Sequence, residues 1–227
     1  MDQISGFLNI YKPSGPTSHD VVNRLRKITG IKKIGHAGTL DPFASGVLIC
    51  AIGRAATKEI NQFVKLDKKY IAQITLGKQT NTFDRTGDFI DNNLLLKNIK
   101  EIDIRKCLES FLGKQKQIPP MFSAKKIKGK KLYELARAGI EVKREKINIE
   151  IFDIKLLKYS FPSLEILVHA ISGTYIRSLA SDIGRSLGYG AYLEELERTA
   201  IGNIKIEDSI NLEEINKDNL PEFFLKK

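Results

Sequence analysis

The alternation of apolar and polar residues along the chain predicts its strands. Short alternating stretches, and one continuous apolar run typical of a buried strand, are separated by glycine and proline turns. The last two strands are expected to form a hairpin closed by a turn at residues 161–163. The predicted strands are residues 6–11, 47–52 (the continuous run), 70–76, a strand starting at 147, and 164–171.

A spacing of three to four residues between apolar positions predicts helices between these strands. In the first helix we expect Ser18 to be the N-cap and Gly30 the closing glycine. Strands and helices alternate without a regular βα period, which favours an α+β fold with a mixed, largely antiparallel central sheet flanked by helices and loops. The predicted helices are residues 18–30, 55–66, 104–112, 132–138, 176–187 and a helical tail at 212–225.

Composition and charge narrow the class of protein. The chain has 227 residues, with 37 Lys and Arg against 27 Asp and Glu and a net charge of +10, a balance that slightly favours a nucleic-acid partner over a merely solvated lysine surface. Cys50 and Cys107 lie far apart, which argues against a disulfide framework or a zinc site. With no apolar run of membrane-spanning length and no signal peptide at its start, the protein is expected to be cytoplasmic.

The glycine-rich stretch over residues 34–46 is predicted to be an ordered loop, and loops of this kind often carry function. Within it Pro42 biases Asp41 towards an extended backbone, so the carboxylate could serve as a nucleophile or base. An ordinary Asp-Pro turn former is the alternative. The stretch matches neither a phosphate-binding loop nor a dinucleotide fingerprint, Ser45 lacks the glycine of a nucleophile elbow, and the three histidines have no metal-binding spacing.

Arg177 lies near the start of a predicted helix, where the helix dipole does not favour a cation. It is either an exposed helix charge or a buried partner of a carboxylate. Tyr70 and Tyr175 could stack on a nucleobase or belong to the core, and His36 could contact a ligand or be structural. Leu196 has no feature that distinguishes it from a core residue.

Residues 35–46, Gly-His-Ala-Gly-Thr-Leu-Asp-Pro-Phe-Ala-Ser-Gly, resemble the signature of the TruB family of pseudouridine synthases. Four further blocks agree in order, so that the resemblance covers roughly residues 4–205. They are residues 9–18, 69–87, 119–134 and 173–177. The sequence departs from many family members at Glu197-Arg198 and at Tyr192, and a C-terminal PUA domain is expected to be absent, leaving one catalytic domain over residues 1–227.

The resemblance implies the pseudouridine synthase fold and isomerisation of the uridine at position 55 in the tRNA T loop, after that nucleotide is flipped into a pocket. It implies no metal or organic cofactor, no obligate protein partner and a monomer. Asp41 matches the essential aspartate, Tyr70 the stacking tyrosine and Arg177 the arginine paired with the aspartate. The remaining matched positions are His36, Tyr175 and Leu196, which contact the flipped nucleotide, and Lys12, Asp84 and Lys125, which bind RNA. A tRNA-binding or tRNA-folding protein with secondary catalysis is the alternative.

Overall fold

The computed structural model describes residues 4–90, 98–123, 126–127 and 129–226. Its helices are α1 Ser18–Thr29, α2 Gly53–Glu59, α3 Asn61–Val64, α4 Glu101–Glu109, α5 Leu132–Arg137 and α6 Ile176–Ser186. Its strands are β1 Gly6–Lys12, β2 Ile34–Ala37, β3 Ser45–Ile52, β4 Lys68–Leu76, β5 Gln79–Thr80, β6 Phe89–Ile90, β7 Gly113–Gln117, β8 Lys126–Ile127, β9 Lys130–Lys131, β10 Ile147–Ser160, β11 Ser163–Ala170, β12 Ala191–Ile201 and β13 Ile204–Lys205. Three 3₁₀ turns follow, Ile206–Asp208, Leu212–Glu214 and Leu220–Phe223.

The chain divides into two compact units, residues 1–71 with 196–227 and residues 72–195. In the first unit β3 is the central strand. It pairs antiparallel with β1 and β2 and parallel with the second half of β12, which also pairs with β13. Seven of the eight residues of β3 are buried, which explains its continuous apolar sequence.

Helix α1 covers one face of this sheet with its apolar side. Val21, Val22 and Leu25 pack with residues of β1 and β3 in one buried cluster. The helix begins in a capping box, in which Thr17 bonds the backbone of Asp20 and Asp20 bonds back, and it ends at Gly30 in the left-handed conformation. The predicted N-cap was therefore one residue late, because Ser18 is used elsewhere.

The second unit is built on the β10–β11 hairpin, whose strands pair antiparallel from Ser160 and Ser163 at the turn. Strand β7 adds to the other edge of β10, also antiparallel. Helices α4 and α6 bury their apolar faces and meet where Cys107 of α4 approaches the Ile183 carbonyl of α6. The strand pairing of the two units is mixed and largely antiparallel, which confirms the predicted α+β class.

Most predicted elements are confirmed, and the differences have physical reasons. The predicted helix over residues 55–66 is broken into α2 and α3, and residues 34–37 of the predicted loop form β2. The predicted helical tail consists of 3₁₀ turns. Strand β12 was not predicted at all. No helix among the described residues has the length and apolarity to cross a bilayer. The single catalytic domain over residues 1–227 stays a prediction.

Candidate active site

The Asp41 loop is fastened to the end of β1 by a buried lysine. Lys12 is fully buried, and its ammonium donates to the carbonyls of Pro13 at 2.8 Å, Pro42 at 3.2 Å and Ala44 at 2.7 Å. Burial lowers the pKa of Lys12 to about 8, and the Asp41 carboxylate partly opposes this shift. Lys12 thus fixes the segment directly after Asp41 while it contributes positive charge beside it.

Further hydrogen bonds hold the loop on both sides of Asp41. The hydroxyl of Ser18 donates to the Leu40 carbonyl at 3.1 Å and accepts from the Leu40 amide at 2.9 Å. Ser14 donates to the Phe43 carbonyl at 2.8 Å, and the Gly15 amide donates to the Pro42 carbonyl at 2.8 Å. Asp41 itself is half-buried and therefore keeps some access to solvent. The hydrogen bonds fix the residues on either side of it. The predicted ordered loop is confirmed for residues 38–44.

Arg198 of β12 is a buried cation next to the Asp41 loop, and it was missed as a site residue in the sequence. Its guanidinium is buried and donates to the carbonyls of Val47 at 2.8 Å and Gly38 at 3.1 Å. Burial raises the pKa of Tyr70, Arg198 opposes this rise, and Asp41 adds to it. Asp41, Tyr70 and Arg198 therefore interact electrostatically within the first unit.

Gly46 permits the close contact that brings Arg198 to this position. Its φ of +104° lies in the region that favours glycine, and a Cβ there would come within 2.3 Å of the Arg198 carbonyl oxygen. Gly46 is paired with Arg198 where β12 runs parallel to β3. The last glycine of the sequence motif is thus required by strand packing.

His36 and Leu196 also lie in the first unit. His36 is on β2 and half-buried, and its buried Nδ1 has no hydrogen-bond partner in the part of the chain that the structure describes. Burial lowers the pKa of His36, with Arg198 as a smaller cause in the same direction, so the imidazole is neutral at pH 7. Leu196 is buried on β12. Its side chain supplies an apolar surface, and His36 supplies an unused ring nitrogen.

In the second unit Arg177 is a buried partner of a carboxylate. One terminal nitrogen donates to Asp84 Oδ2 at 3.2 Å and to the Thr82 carbonyl at 3.2 Å, and the other donates to the Phe122 carbonyl at 2.7 Å. Both side chains of the ion pair are nearly inaccessible, at 6% and 4%. The interpretation of Arg177 as an exposed helix charge is wrong. Its pairing with Asp41 stays a prediction.

Two other predicted site residues of the second unit are described, the buried Asp84 and the half-buried Tyr175. Asp84 accepts from the hydroxyls of Thr82 at 2.9 Å and Thr86 at 2.6 Å as well as from Arg177. Tyr175 is half-buried, and its backbone exchanges two hydrogen bonds with the Gln117 side chain at the start of α6. The predicted RNA contact of Lys125 lies outside the described residues.

The geometry argues against the predicted RNA contacts of Lys12 and Asp84. All three donors of Lys12 bond to protein carbonyls, and both Asp84 oxygens accept from protein groups. Their burial leaves neither side chain at the surface. We correct both assignments to structural roles: Lys12 positions the Asp41 loop, and Asp84 positions Arg177. Among the described residues no cluster of three His, Cys, Asp or Glu is arranged to hold a metal ion.

Comparison with known proteins identifies the family. Residues 26–176 match the family model described as "TruB family pseudouridylate synthase (N terminal domain)", and residues 177–221 match "tRNA pseudouridylate synthase B C-terminal domain". In a crystal structure of a Cbf5-Nop10-Gar1 complex, one chain aligns with a TM-score of 0.72 and 32% identity over 92% of this chain and 52% of that one. The fold and the family models together define the class, a pseudouridylate synthase.

Curated relatives give the particular family. A Clostridium tetani protein named tRNA pseudouridine synthase B is 49% identical over 98% of this chain and 76% of its own length. A Bacillus subtilis protein of the same name is 46% identical over 93% of this chain and 70% of its length. The chain belongs to the TruB family.

Proposed function

We propose that this chain isomerises the uridine at position 55 in the T loop of tRNA to pseudouridine. Membership of the TruB family supports the reaction, and the names of the curated relatives support tRNA as the substrate. The observation that carries the proposal is Asp41 itself: a half-buried carboxylate on a loop that the buried Lys12 holds in place.

The reaction requires a carboxylate and an acid–base group but no oxidant or reductant. The bond from C1′ to N1 breaks, the uracil turns over, and a bond from C1′ to C5 forms. C5 then loses its proton, and N1 gains one. Asp41 either attacks the ribose or the uracil ring, or removes a ribose proton to give a glycal. Since atoms and electrons balance in each route, no oxidant or reductant is needed.

The other residues take roles that match their chemistry. Tyr70 stacks on the base and takes the C5 proton, and Arg177, which Asp84 holds in position, pairs with Asp41 and keeps it ionised. The unused Nδ1 of His36 suits a contact with the flipped nucleotide. Tyr175 and Leu196 match family positions that contact the flipped nucleotide, and Lys125 matches a position that binds RNA.

The energetics of extrusion fit this set of residues. Flipping a nucleotide costs a few kcal/mol, and stacking of the base on an aromatic ring returns about 1 to 3 kcal/mol. The net charge of +10 contributes attraction to phosphates that does not depend on sequence. Binding energy from the tRNA backbone thus offsets the remaining cost of extrusion.

Mass-spectrometric mapping of tRNA treated with the pure protein tests the proposal. The substrates are an unmodified tRNA transcript, the isolated T stem-loop, and a transcript in which the position 55 uridine is replaced by cytidine. We expect one pseudouridine, at position 55, in the first two and none in the third.

Two results would overturn this function. Pseudouridine at other positions only would contradict the substrate site. Tight binding of tRNA without any pseudouridine would favour the alternative, a tRNA-binding or tRNA-folding protein.

A further inference from the structure

Four exposed cations surround one cavity of the first unit, which has a volume of about 470 Å³. They are Lys32, Lys33, Arg54 and Lys217, and among the described residues that line the cavity none is acidic. Within the described ranges, none of the four cations belongs to an ion pair. Like charges around one cavity repel each other, and an anion bound between them would relieve that repulsion.

The segment that carries Lys32 and Lys33 is fixed by hydrogen bonds to its backbone. The guanidinium of Arg26 donates to the carbonyls of Lys32 and Ile34, both at 3.2 Å. The Gly53 amide donates to the Lys33 carbonyl at 2.8 Å. Because the backbone is already held, a bound ligand would restrict only the two side chains, which lowers the entropic cost of binding.

The other two cations also extend from fixed backbone. Lys217 lies in a turn closed by two asparagine side chains. Asn216 accepts from the Asn219 amide at 3.0 Å, and Asn219 accepts from the Asn216 amide at 2.8 Å. Arg54 directly follows Gly53, whose amide is bonded to the lysine segment. Three separate segments of the chain therefore present their charges to one cavity.

Apolar side chains complete the lining of the cavity. Ile4, Ile31 and Leu220 contribute to its wall, and Ile4 is exposed. A nucleic acid offers phosphates for the cations, and it offers ribose and base surfaces for the apolar part. The combination therefore suits a segment of RNA.

The cavity is far from the loop that carries Asp41. Gly6 and Ile52 pair at the end of β1 and β3 that adjoins the cavity. Lys12 and Gly46 pair at the opposite end, where Lys12 holds the Asp41 loop. The length of β1 separates the two ends by roughly 20 Å. An RNA that covers both ends must extend well beyond the flipped nucleotide.

We propose that this cavity binds phosphates of tRNA that lie outside the T stem-loop. The inference rests on the proposed function, in which the T loop occupies the Asp41 end of the unit. The phosphodiester backbone supplies successive negative charges, which match cations presented by three segments. The site adds affinity and orients the tRNA, and it takes no part in the chemistry.

The test measures the Kd of the intact protein for full-length tRNA and for the isolated T stem-loop at several salt concentrations. The variant Lys32→Gln/Lys217→Gln removes two charges of the cavity, and the control Lys65→Gln/Lys158→Gln removes two exposed charges elsewhere. We expect the first variant to bind full-length tRNA roughly tenfold more weakly at low salt, with a salt dependence reduced by about two counterions. Its Kd for the T stem-loop, and both Kd values of the control, should match those of the parent.

Turnover provides a second readout. With full-length tRNA, kcat/KM should fall about tenfold in the cavity variant while kcat is unchanged, because a contact made equally before and during the reaction affects binding alone. The variant Lys33→Gln/Arg54→Gln, which changes the other two cations, should behave in the same way.

The outcomes separate this inference from the proposed function. An unchanged Kd for full-length tRNA in both cavity variants overturns the inference. An equal loss with the T stem-loop, or an equal loss in the control variant, overturns it as well. A parent protein whose tRNA affinity depends on these cations but which forms no pseudouridine contradicts the proposed function and leaves the tRNA site established.

Discussion

Replacing Lys12 by methionine tests whether this lysine positions the catalytic loop or binds RNA. The substitution keeps the length of the side chain and removes its donors. Of the three carbonyls that Lys12 bonds, Pro42 keeps a second donor, the Gly15 amide, and the exposed Pro13 can bond to water. The Ala44 carbonyl, on a fully buried residue, is left without its lysine partner.

The expected magnitude follows from that one carbonyl. An unsatisfied buried acceptor costs about 2 kcal/mol, which lowers the Tm by roughly 4 to 8 °C for a chain of this size. A loosened loop also displaces Asp41, and a shift on the order of 1 Å at a reacting group lowers turnover about 100-fold. Affinity for tRNA should not change, because Lys12 does not reach the surface.

Thermal unfolding, tritium release and tRNA binding at several salt concentrations together decide between the two roles. Lys65→Met removes an exposed lysine and serves as the control. The positioning role is refuted if Lys12→Met keeps its Tm and turnover but binds tRNA more weakly. A salt dependence reduced by about one counterion would then show that Lys12 contacts a phosphate.

Three further predictions follow from the same contacts. Gly46→Ala should lower the free energy of unfolding by about 3 kcal/mol, because the Cβ meets the Arg198 carbonyl oxygen at 2.3 Å and the backbone φ is +104°. Arg177→Lys should lower turnover on the order of 100-fold, since a point charge cannot bond both Asp84 and the neighbouring carbonyls. For Lys12, a pKa of about 8 in the folded state lies below 10.5 in the unfolded state, so the unfolded chain binds more protons between these values. The free energy of unfolding should therefore rise with pH over that window relative to Lys12→Met.

Each of these three predictions has a control and a result that would contradict it. Gly15→Ala carries a similar φ of +114° but has no atom within 4 Å of the added Cβ, so equal losses in both glycine variants would contradict the packing argument. Arg185→Lys changes an exposed ion pair on the same helix as Arg177, and an equal loss of turnover there would remove any special role for Arg177. A difference between parent and Lys12→Met that is flat from pH 8 to 10.5 would contradict the buried ammonium.

Much of the fold could be predicted from the sequence because local pattern and tertiary packing agree. Strand β3 reads as a continuous apolar run, and α6 as one apolar face, because each buries those residues. Strand β12 could not be predicted. Its inward positions include the charged Arg198, which interrupts the apolar alternation, and its Glu and Leu residues favour a helix in isolation. Sheet pairing overrides that preference.

The candidate site, like the fold, could be predicted only in part from the sequence. Pro42 and the surrounding glycines marked Asp41 as a candidate on an ordered loop, and an unfavourable cation at the start of a helix marked Arg177. Their roles came only from the family resemblance. The buried roles of Lys12 and Arg198 could not be predicted, since a lysine or arginine in sequence suggests a surface charge. Their buried roles depend on carbonyls about 30 residues away for Lys12 and about 150 for Arg198.

The central claim is that the carboxylate of Asp41 performs the chemistry, and a single-turnover assay of tritium release with Asp41→Asn tests it most directly. Because the substitution is nearly isosteric, we expect the rate to fall by a factor on the order of 10⁴ or more while the Kd for tRNA stays within about twofold of the parent. The exposed Asp218→Asn, the same chemical change elsewhere, should react at the parent rate. Release of tritium by Asp41→Asn at the parent rate would contradict the account.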